Sequence, residues 1–321
     1  MKQIKKSKSV IKISIIILSY NVKDLLDQTL NSLKQSIHYA EKKSKNTLTF
    51  EVIVVDNASF DGADELVEKK HSWVKLVKNK ENKGFSRGNN DGVRVSDKNS
   101  KYVMFLNNDI VLQEDTLYKM VEYMQKNKDV GLATCQVDLW SGGIDIDAHR
   151  GFPTPWRSFC WFSGLEKLLG RKFPKVFGGY HLLHKDLEKI HEIDACLGAF
   201  MIIPRKVGDK IGWWPEDYFL NGEDIDLAYQ IKVLQGYRNM WVPTTKIIHY
   251  KGASKGTKKQ SQNIIKKVDK SKKTLVINSG IQSQKIFYKK YYKEKYPFFV
   301  TWLVYFGIWL LLKKRLILGK E

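Results

Sequence analysis

The stretch ISIIILSYN occupies residues 13–21 and decides the fold. Its first six residues are almost wholly apolar and mostly β-branched, which predicts a strand buried on both faces, as strands are in parallel sheets. Three polar residues follow directly, Ser19, Tyr20 and Asn21. Ligands of open α/β sheets bind at the carboxyl ends of strands, so these three are candidate binding residues.

Apolar runs and helical patterns alternate after this first strand. The predicted strands are Ile13–Leu18, Glu51–Val55, Val74–Val77 and Tyr102–Leu106, and the predicted helices are Val22–Ile37, Asp61–Lys70, Gly84–Val95 and Asp115–Lys126. This order predicts an α/β, Rossmann-like domain with a mostly parallel sheet. Residues 138–190 are rich in Gly, Pro and Trp and are predicted to form loops and short elements. A helix over 223–235 and two short extended pieces, Asn239–Val242 and Ile247–Ile248, follow.

The composition excludes several classes of protein. The 321 residues are 43% hydrophobic and 12% aromatic, which is enough for a core and excludes a wholly disordered chain. A mean hydropathy of −0.38 excludes a protein with many membrane spans. Three cysteines without a C-x-x-C pair exclude a disulfide scaffold and a thiolate zinc site.

The net charge of +21 is concentrated near the C-terminus, where residues 255–297 hold thirteen lysines and two acids. Such a segment suits nucleic-acid phosphate or anionic lipid. The run Pro297–Leu312 has no charge and contains aromatic residues typical of membrane interfaces, and as a helix of roughly 24 Å it is short for a span. We therefore expect an anionic membrane surface as partner, with peripheral or shallow insertion, rather than docking on the protein core or binding to nucleic acid.

Polar clusters follow two further predicted strands, at Asp56-Asn57 and at Asn107-Asn108-Asp109. Either cluster could be turn chemistry alone, but three such clusters at one sheet edge indicate a binding site. Asn107 and Asp109 place two oxygen ligands on one side of a turn, an arrangement that suits Mg²⁺ or Mn²⁺.

Two later motifs add candidate chemistry. Glu223 and Asp224 begin a predicted helix, where they could cap the helix or, kept ionised by its dipole, provide a general base. His249 follows a short apolar piece and could be a structural histidine or a third metal ligand. The glycine-containing run of residues 82–90 fits neither the dinucleotide fingerprint nor the P-loop.

Six motifs stand in a specific order: SYN, VVDNASFDG, NKGFSRGNN, LNNDI, GEDIDL and H-x-x-G-x-S. Over about residues 10–254 this order resembles the family 2 glycosyltransferases of the GT-A fold, and most closely their rhamnosyltransferase-like branch. The resemblance implies a single catalytic domain that inverts the anomeric carbon while moving a sugar, with rhamnose as the first candidate, from a nucleotide-diphosphate donor. The implied acceptor is a hydroxyl of a lipid-linked glycan or surface polysaccharide.

The resemblance also implies roles for individual residues. Asp224 would be the catalytic base with Glu223 beside it, and the metal, Mg²⁺ or Mn²⁺, would be held by Asn107, Asp109 and His249. One departure is Asn107, where many relatives have Asp; it offers an oxygen but no charge. The implied nucleotide-sugar-binding residues are Ser19, Tyr20, Asn21, Asp56, Asn57, Gly84, Phe85, Gly88, Asn89 and Asn108.

The predicted organisation has four parts: a basic leader over 1–9, the GT-A domain over 10–254, a Lys-rich segment over 255–296 and an apolar membrane-associating helix over 297–321. Within the GT-A domain, 10–110 would bind the nucleotide and 111–254 would form the acceptor side. The expected location is the cytoplasmic face of the cell membrane. The main alternative is a non-catalytic nucleotide-sugar-binding or scaffolding protein at the membrane.

Overall fold

The structure, a computed structural model, describes residues 10–251 and 270–318. The predicted basic leader over 1–9 therefore lies outside the described residues, as do 252–269 and 319–321. This gap includes Gly252 and Ser254 of the last motif and much of the Lys-rich segment.

The first half of the chain alternates strands and helices as predicted. Its elements are β1 (Ile11–Ser19), α1 (Lys23–Lys43), β2 (Leu48–Asp56), α2 (Ala63–Lys70), β3 (Lys75–Lys78), α3 (Gly84–Val95), β4 (Tyr102–Leu106), β5 (Ile110–Leu112) and α4 (Thr116–Lys126).

The second half contains more regular structure than the sequence analysis predicted. Its elements are β6 (Val130–Leu139), α5 (Pro155–Ser163), α6 (Leu165–Leu169), α7 (Pro174–Phe177), β7 (His191–Ile193), β8 (Phe200–Pro204), α8 (Arg205–Ile211), α9 (Glu223–Tyr229), β9 (Arg238–His249), α10 (Lys270–Tyr291) and α11 (Phe298–Leu318). Strands β6 and β8 were not predicted. The two extended pieces predicted near the end of the domain are one strand, β9, whose pairing with β6 is interrupted by a register shift after Val242.

The strands form one mixed, mostly parallel sheet in the order β3-β2-β1-β4-β8-β6-β9-β5, with β7 paired to β9. Strand β1 pairs in parallel with β2 on one side and β4 on the other. The order in which successive strands are added to the sheet therefore reverses at β1. Such a switch point leaves a crevice at the carboxyl ends of the strands. The predicted fold class is confirmed, and the polar clusters lie at this edge.

The core is built on β1, as its sequence predicted. Ile13, Ile15, Ile16 and Ile17 are all fully buried. Helix α3 lies so close to this strand that a Cβ added at Gly92 would come within 2.5 Å of Ile16 Cγ2. The close approach of helix and strand therefore depends on this glycine.

We expect Gly92→Ala to lower the free energy of unfolding by about 1–3 kcal/mol, because the added methyl group overpacks a rigid, β-branched neighbour. Urea denaturation measures the change. Gly307→Ala is the matched control, since that helical glycine has open space around its Cα and alanine favours a helix. Equal stability of the two variants would contradict the packing role of Gly92.

The basic, aromatic end of the predicted Lys-rich segment contacts the protein itself. Asp226 on α9 is fully buried and accepts hydrogen bonds from Tyr291 Oη at 2.6 Å and from Lys290 Nζ at 2.9 Å, both on α10. Lys295 Nζ donates to Tyr229 Oη at 2.7 Å. A buried carboxylate therefore recruits part of this cluster to the protein, and the contact of the cluster with an anionic membrane surface stays a prediction.

Helix α11 is only half packed on the protein. Ile308 is buried, and Val304 and Tyr305 pack against the aromatic cluster that α9 and α10 form. Trp302, Leu303 and Trp309 stay about half exposed or more. Over residues 10–251 and 270–318, no helix is long and apolar enough to cross a membrane.

Candidate active site

The first two strands end side by side and present polar atoms that lack partners. Ser19 pairs with Asp56 in the parallel ladder. Ser19 Oγ, Asn21 Nδ2 and Asp56 Oδ1 are buried and, among the residues that the structure describes, have no hydrogen-bond partner. Because unsatisfied buried polar atoms are costly, these three atoms indicate a ligand with complementary donors and acceptors.

A tight turn arrangement fixes these atoms. Asn21 and Ala58 adopt the left-handed conformation, with φ of 55° and 65°. The Ser59 backbone N–H donates to Asp56 Oδ2 at 3.0 Å, and Ser59 Oγ accepts from the Asn21 backbone N–H at 3.0 Å. The ends of β1 and β2 are thereby held together, with Tyr20 partly exposed between them.

The side chain of Asn57 braces the neighbouring loop, and its contact with a nucleotide stays a prediction. Its Nδ2 donates to Asn82 Oδ1 at 2.8 Å, and its Oδ1 accepts from the Lys83 backbone N–H at 3.1 Å. The predicted contact of this side chain with base or ribose would have to replace those bonds. The structure thus gives Asn57 a positioning role at the start of α3.

The predicted glycine-containing segment has mainly packing contacts. A Cβ at Gly84, where φ is 78°, would lie 2.6 Å from the Phe219 carbonyl oxygen, and one at Gly88 would lie 2.4 Å from Leu18 Cδ1. Phe85 packs edge-on against Trp214, and Asn89 Nδ2 donates to the Phe85 carbonyl at 3.0 Å. Close packing explains why positions 84 and 88 are glycines, and the side chains of Phe85 and Asn89 have partners within the protein. The roles of these four residues toward a nucleotide stay predictions.

The three predicted metal ligands meet at one point. Strand β5 pairs Ile110 with His249, which brings the end of β9 next to the segment after β4. His249 Nε2 lies 3.3 Å from Asp109 Oδ1 and 3.4 Å from Asn107 Nδ2, whose amide can also turn its oxygen inward. Asn108, between the two, is buried.

This donor set fits a divalent cation such as Mg²⁺ or Mn²⁺. In the part of the chain that the structure describes, no group of three or more His, Cys, Asp or Glu side chains could hold a metal. The set around His249 instead combines one carboxylate, one imidazole and one amide, of which the carboxylate and amide oxygens are ligand types that suit Mg²⁺ and Mn²⁺. Asp109 is almost fully buried, with 1% of its surface exposed, so its charge needs a cation or imidazolium nearby.

Asp145 is a contact of this cluster that sequence reasoning missed. Its Oδ2 lies 3.5 Å from His249 Nδ1, on the ring side opposite Asp109, and its Oδ1 accepts from Lys251 Nζ at 2.5 Å. Burial disfavours the charged imidazole, but the Asp109 and Asp145 carboxylates outweigh that cost and raise the pKa of His249 to about 9. A metal ion bound at Nε2 would replace a proton there.

The predicted base, Asp224, is buried in an ion pair. Arg150 Nη2 donates to Asp224 Oδ2 at 2.5 Å and to the Cys196 carbonyl at 2.9 Å. Asp224 Oδ1 accepts from the Ile225 backbone N–H at 2.8 Å. Burial opposes the charge on Arg150, but Asp224 more than compensates and raises the pKa of the guanidinium.

One short segment, residues 195–199, connects the two parts of the site. The Arg150 backbone N–H donates to the Ala195 carbonyl at 3.0 Å, while the Asn107 backbone N–H donates to the Ala199 carbonyl at 3.0 Å. The segment runs directly into β8, the strand next to β4. Asn107 of the metal-type cluster and Arg150, the partner of the buried base, therefore bind the same short segment.

A family model described as Glycosyl transferase family 2 matches residues 14–190, which is more than half of the chain. The chain belongs to glycosyl transferase family 2. The matched range holds the ends of β1, β2 and β4 and also Arg150, but it stops before Asp224 and His249.

Two relatives of this family 2 protein have names that refer to different sugars. The rhamnosyltransferase WbbL of Escherichia coli K12 is 27% identical over 173 residues, which are 52% of this chain and 61% of that protein. The poly-beta-1,6-N-acetyl-D-glucosamine synthase of Staphylococcus epidermidis is 30% identical over 221 residues, which are 68% of this chain and 45% of that protein. The chain thus spans about half to three fifths of the length of these relatives.

Solved structures identify the fold. The mannosyltransferase PcManGT from Pyrobaculum calidifontis, solved with GDP-Man and Mn²⁺, matches with a TM-score of 0.55 at 18% identity, covering 89% of this chain and 68% of that one. At that identity the likeness shows the fold alone. The family 2 protein therefore has the GT-A fold that its motifs predicted.

Arg150 and Asp145 are the contacts of the site that the sequence analysis did not find. A buried carboxylate needs a cation, so a partner for Asp224 was to be expected, but no local pattern says which of many basic residues supplies it. Both residues lie within the region predicted to be irregular. Glu223, next to the base, is buried as well, and its predicted contact with acceptor or donor sugar stays a prediction.

Proposed function

We propose that this protein is a metal-dependent, inverting glycosyltransferase that moves a sugar from a nucleotide-diphosphate donor to an acceptor hydroxyl. One observation carries the proposal: Arg150, which binds the buried carboxylate of Asp224, and Asn107 of the metal-type donor set are bonded to the two ends of residues 195–199. Family membership supports the reaction class.

The chain's own residues divide the work in this proposal. Ser19, Asn21 and Asp56 bind the nucleoside through the buried atoms for which residues 10–251 and 270–318 provide no hydrogen-bond partner. Asp109, Asn107 and His249 would hold Mg²⁺ or Mn²⁺, which when bound supplies positive charge against the diphosphate leaving group.

Asp224 takes the proton of the acceptor hydroxyl, a step worth roughly 10²–10⁴-fold in rate. Arg150 holds that carboxylate in one orientation through its hydrogen bond. Because Asp224 acts as a base and not as a nucleophile, the sugar is displaced once and its anomeric configuration inverts.

Rhamnose is the first sugar to test, since a rhamnosyltransferase is among the relatives at 27% identity. A relative that makes an N-acetylglucosamine polymer at 30% identity requires that donor in the same panel. The proposed acceptor is a lipid-linked glycan or surface polysaccharide at the cytoplasmic face of the membrane, with α11 as the membrane contact.

The test is a thermal-shift panel of nucleotide diphosphates and nucleotide sugars, including the deoxythymidine, uridine and guanosine series, each with and without Mn²⁺. A ligand at 100 times its Kd stabilises the folded state by about 2.7 kcal/mol, so a bound nucleotide raises the melting temperature measurably. We expect one series to act and to need the metal.

We expect Asp109→Ala to abolish the metal-dependent part of that shift, because a carboxylate of the metal-type set is lost. Asp129→Ala is the matched control, since that carboxylate is 62% exposed and pairs with Arg238 at the surface. An undiminished Mn²⁺ effect in Asp109→Ala would contradict the proposed metal set. A nucleotide shift without transfer to any glycan acceptor would favour the non-catalytic alternative.

A further inference from the structure

Residues 155–177, which form α5, α6 and α7 and are called the arm here, leave an unusual number of apolar side chains in solvent. Leu168 is 76% exposed and Phe159 55% exposed. The six large exposed apolar side chains of the arm are Trp156, Phe159, Trp161, Leu168, Phe173 and Val176. Contiguous exposed apolar surface of this kind indicates a protein or membrane interface.

The outward side of α11 is a second apolar surface. Phe299, Trp302, Phe306 and Leu310 recur at helical spacing and are 44–62% exposed. The rings of Trp302 and Phe306 stack with centroids 5.5 Å apart. The opposite side of the same helix packs on the protein through Val304, Tyr305 and Ile308.

The two surfaces are neighbours, because α11 packs against α5. Phe152, directly before the arm, belongs to the same buried aromatic cluster as the residues on which α11 rests. The arm and the outward side of α11 are therefore treated as one apolar face.

The exposed charged side chains of the arm have one sign. Lys167, Arg171, Lys172 and Lys175 are exposed on the arm. The acid of the arm, Glu166, is 3% exposed and bound to His181 Nδ1 at 2.9 Å, so it presents no charge outward. On α11, Lys313 lies over the ring of Trp309, and on the arm Lys172 lies over Phe173.

We propose that the apolar face binds the surface of an anionic lipid bilayer, with the arm as a second membrane contact beside α11. Tryptophan and phenylalanine with lysine and arginine around them suit the boundary between acyl chains and anionic headgroups. A second copy of the chain is a poor occupant, because two such faces would bring the same positive charges together.

The arm is also connected to the proposed base. It begins a few residues after Arg150, and the Gly151 backbone N–H donates to the Tyr180 carbonyl at 2.7 Å, which closes the loop beside the Arg150–Asp224 pair. A membrane at the arm therefore lies next to the acceptor side of the site. This placement selects acceptors carried on lipids, a point that rests on the proposed function.

Vesicle flotation of the full chain tests the proposal. We expect binding to vesicles of phosphatidylcholine with phosphatidylglycerol and little binding to phosphatidylcholine alone. The charge-reversed variant Arg171→Glu/Lys172→Glu/Lys175→Glu is expected to lose about 100-fold or more in partition coefficient. The control Lys34→Glu/Lys42→Glu/Lys43→Glu makes the same change in net charge on exposed positions of α1 and is expected to bind like the unchanged protein.

A second variant tests the apolar contribution. Phe159→Ser/Leu168→Ser is expected to lose at least about tenfold in partition coefficient. Its control is Val233→Ser/Leu234→Ser, an apolar pair after α9 whose side chains are 46% and 57% exposed. All four variants change exposed side chains, and their melting temperatures report whether they are folded.

Three results would overturn the proposal: no flotation of the unchanged protein, arm variants that bind like their controls, or a self-association that the arm variants abolish without any vesicle binding. The nucleotide shifts are recorded on the same samples. Flotation without a nucleotide shift contradicts the proposed function but not the proposed membrane contact. A nucleotide shift without flotation contradicts only the proposed membrane contact.

Discussion

Transfer by the Asp224→Asn protein is expected to fall by roughly 10²–10⁴-fold, while donor binding is retained. Asparagine has the shape of aspartate and can keep the bond to the Ile225 backbone N–H, but it cannot accept the acceptor proton. The measurement pairs transfer rate with the nucleotide thermal shift, at a temperature well below the melting point of the variant.

Asp217→Asn is the matched control for this prediction. It removes a carboxylate from the same region of the chain, but one whose side chain is 65% exposed. Turnover of Asp224→Asn within about tenfold of the unchanged protein, below the range of a lost general base, would remove Asp224 from that role and direct attention to Glu223.

The Arg150→Met protein is expected to lose about 3–5 kcal/mol of unfolding free energy, the cost of leaving one member of a buried ion pair without its partner. Arg150 and Asp224 have side chains that are only 9% and 10% exposed, so water cannot replace the missing charge. Urea denaturation measures the loss. Arg238→Met is the control, because its pair with Asp129 is exposed and should contribute less than about 1 kcal/mol.

A double variant separates charge from packing. Arg150→Met/Asp224→Leu removes both charges and is expected to be more stable than Arg150→Met alone, although inactive, because no buried charge is left unpaired. Losses that simply add in the double variant would mean that the two side chains do not depend on each other.

Much of the fold could be predicted because strands β1, β2 and β4 consist mostly of apolar residues, which are largely buried. A strand with Ile13, Ile15, Ile16 and Ile17 buried on both faces must lie inside a sheet. Strands β6 and β8 were missed; β8 follows β7 without a helix between them and runs antiparallel to β4. Their pairing depends on partners that are remote in the chain.

The candidate site was predictable in part for the same reason. Ser19, Asp56 and Asp109 end or follow strands of one sheet, so local sequence was enough to place them at one edge. His249 joined them only through the pairing of β5 with β9. The basic, aromatic pattern of 289–296 showed the limit of composition, since it did not reveal that Lys290 and Tyr291 bind the buried Asp226.

The sequence by itself determined the order of the elements, the buried strand β1 and the polar residues at the strand ends, because these follow from patterns of neighbouring residues. The tertiary structure decided which charges meet. Arg150 and Asp224 are 74 positions apart, and Lys290 and Asp226 are 64 apart. A buried charge requires a partner of opposite sign, but only the packing of the folded chain selects which distant residue provides it.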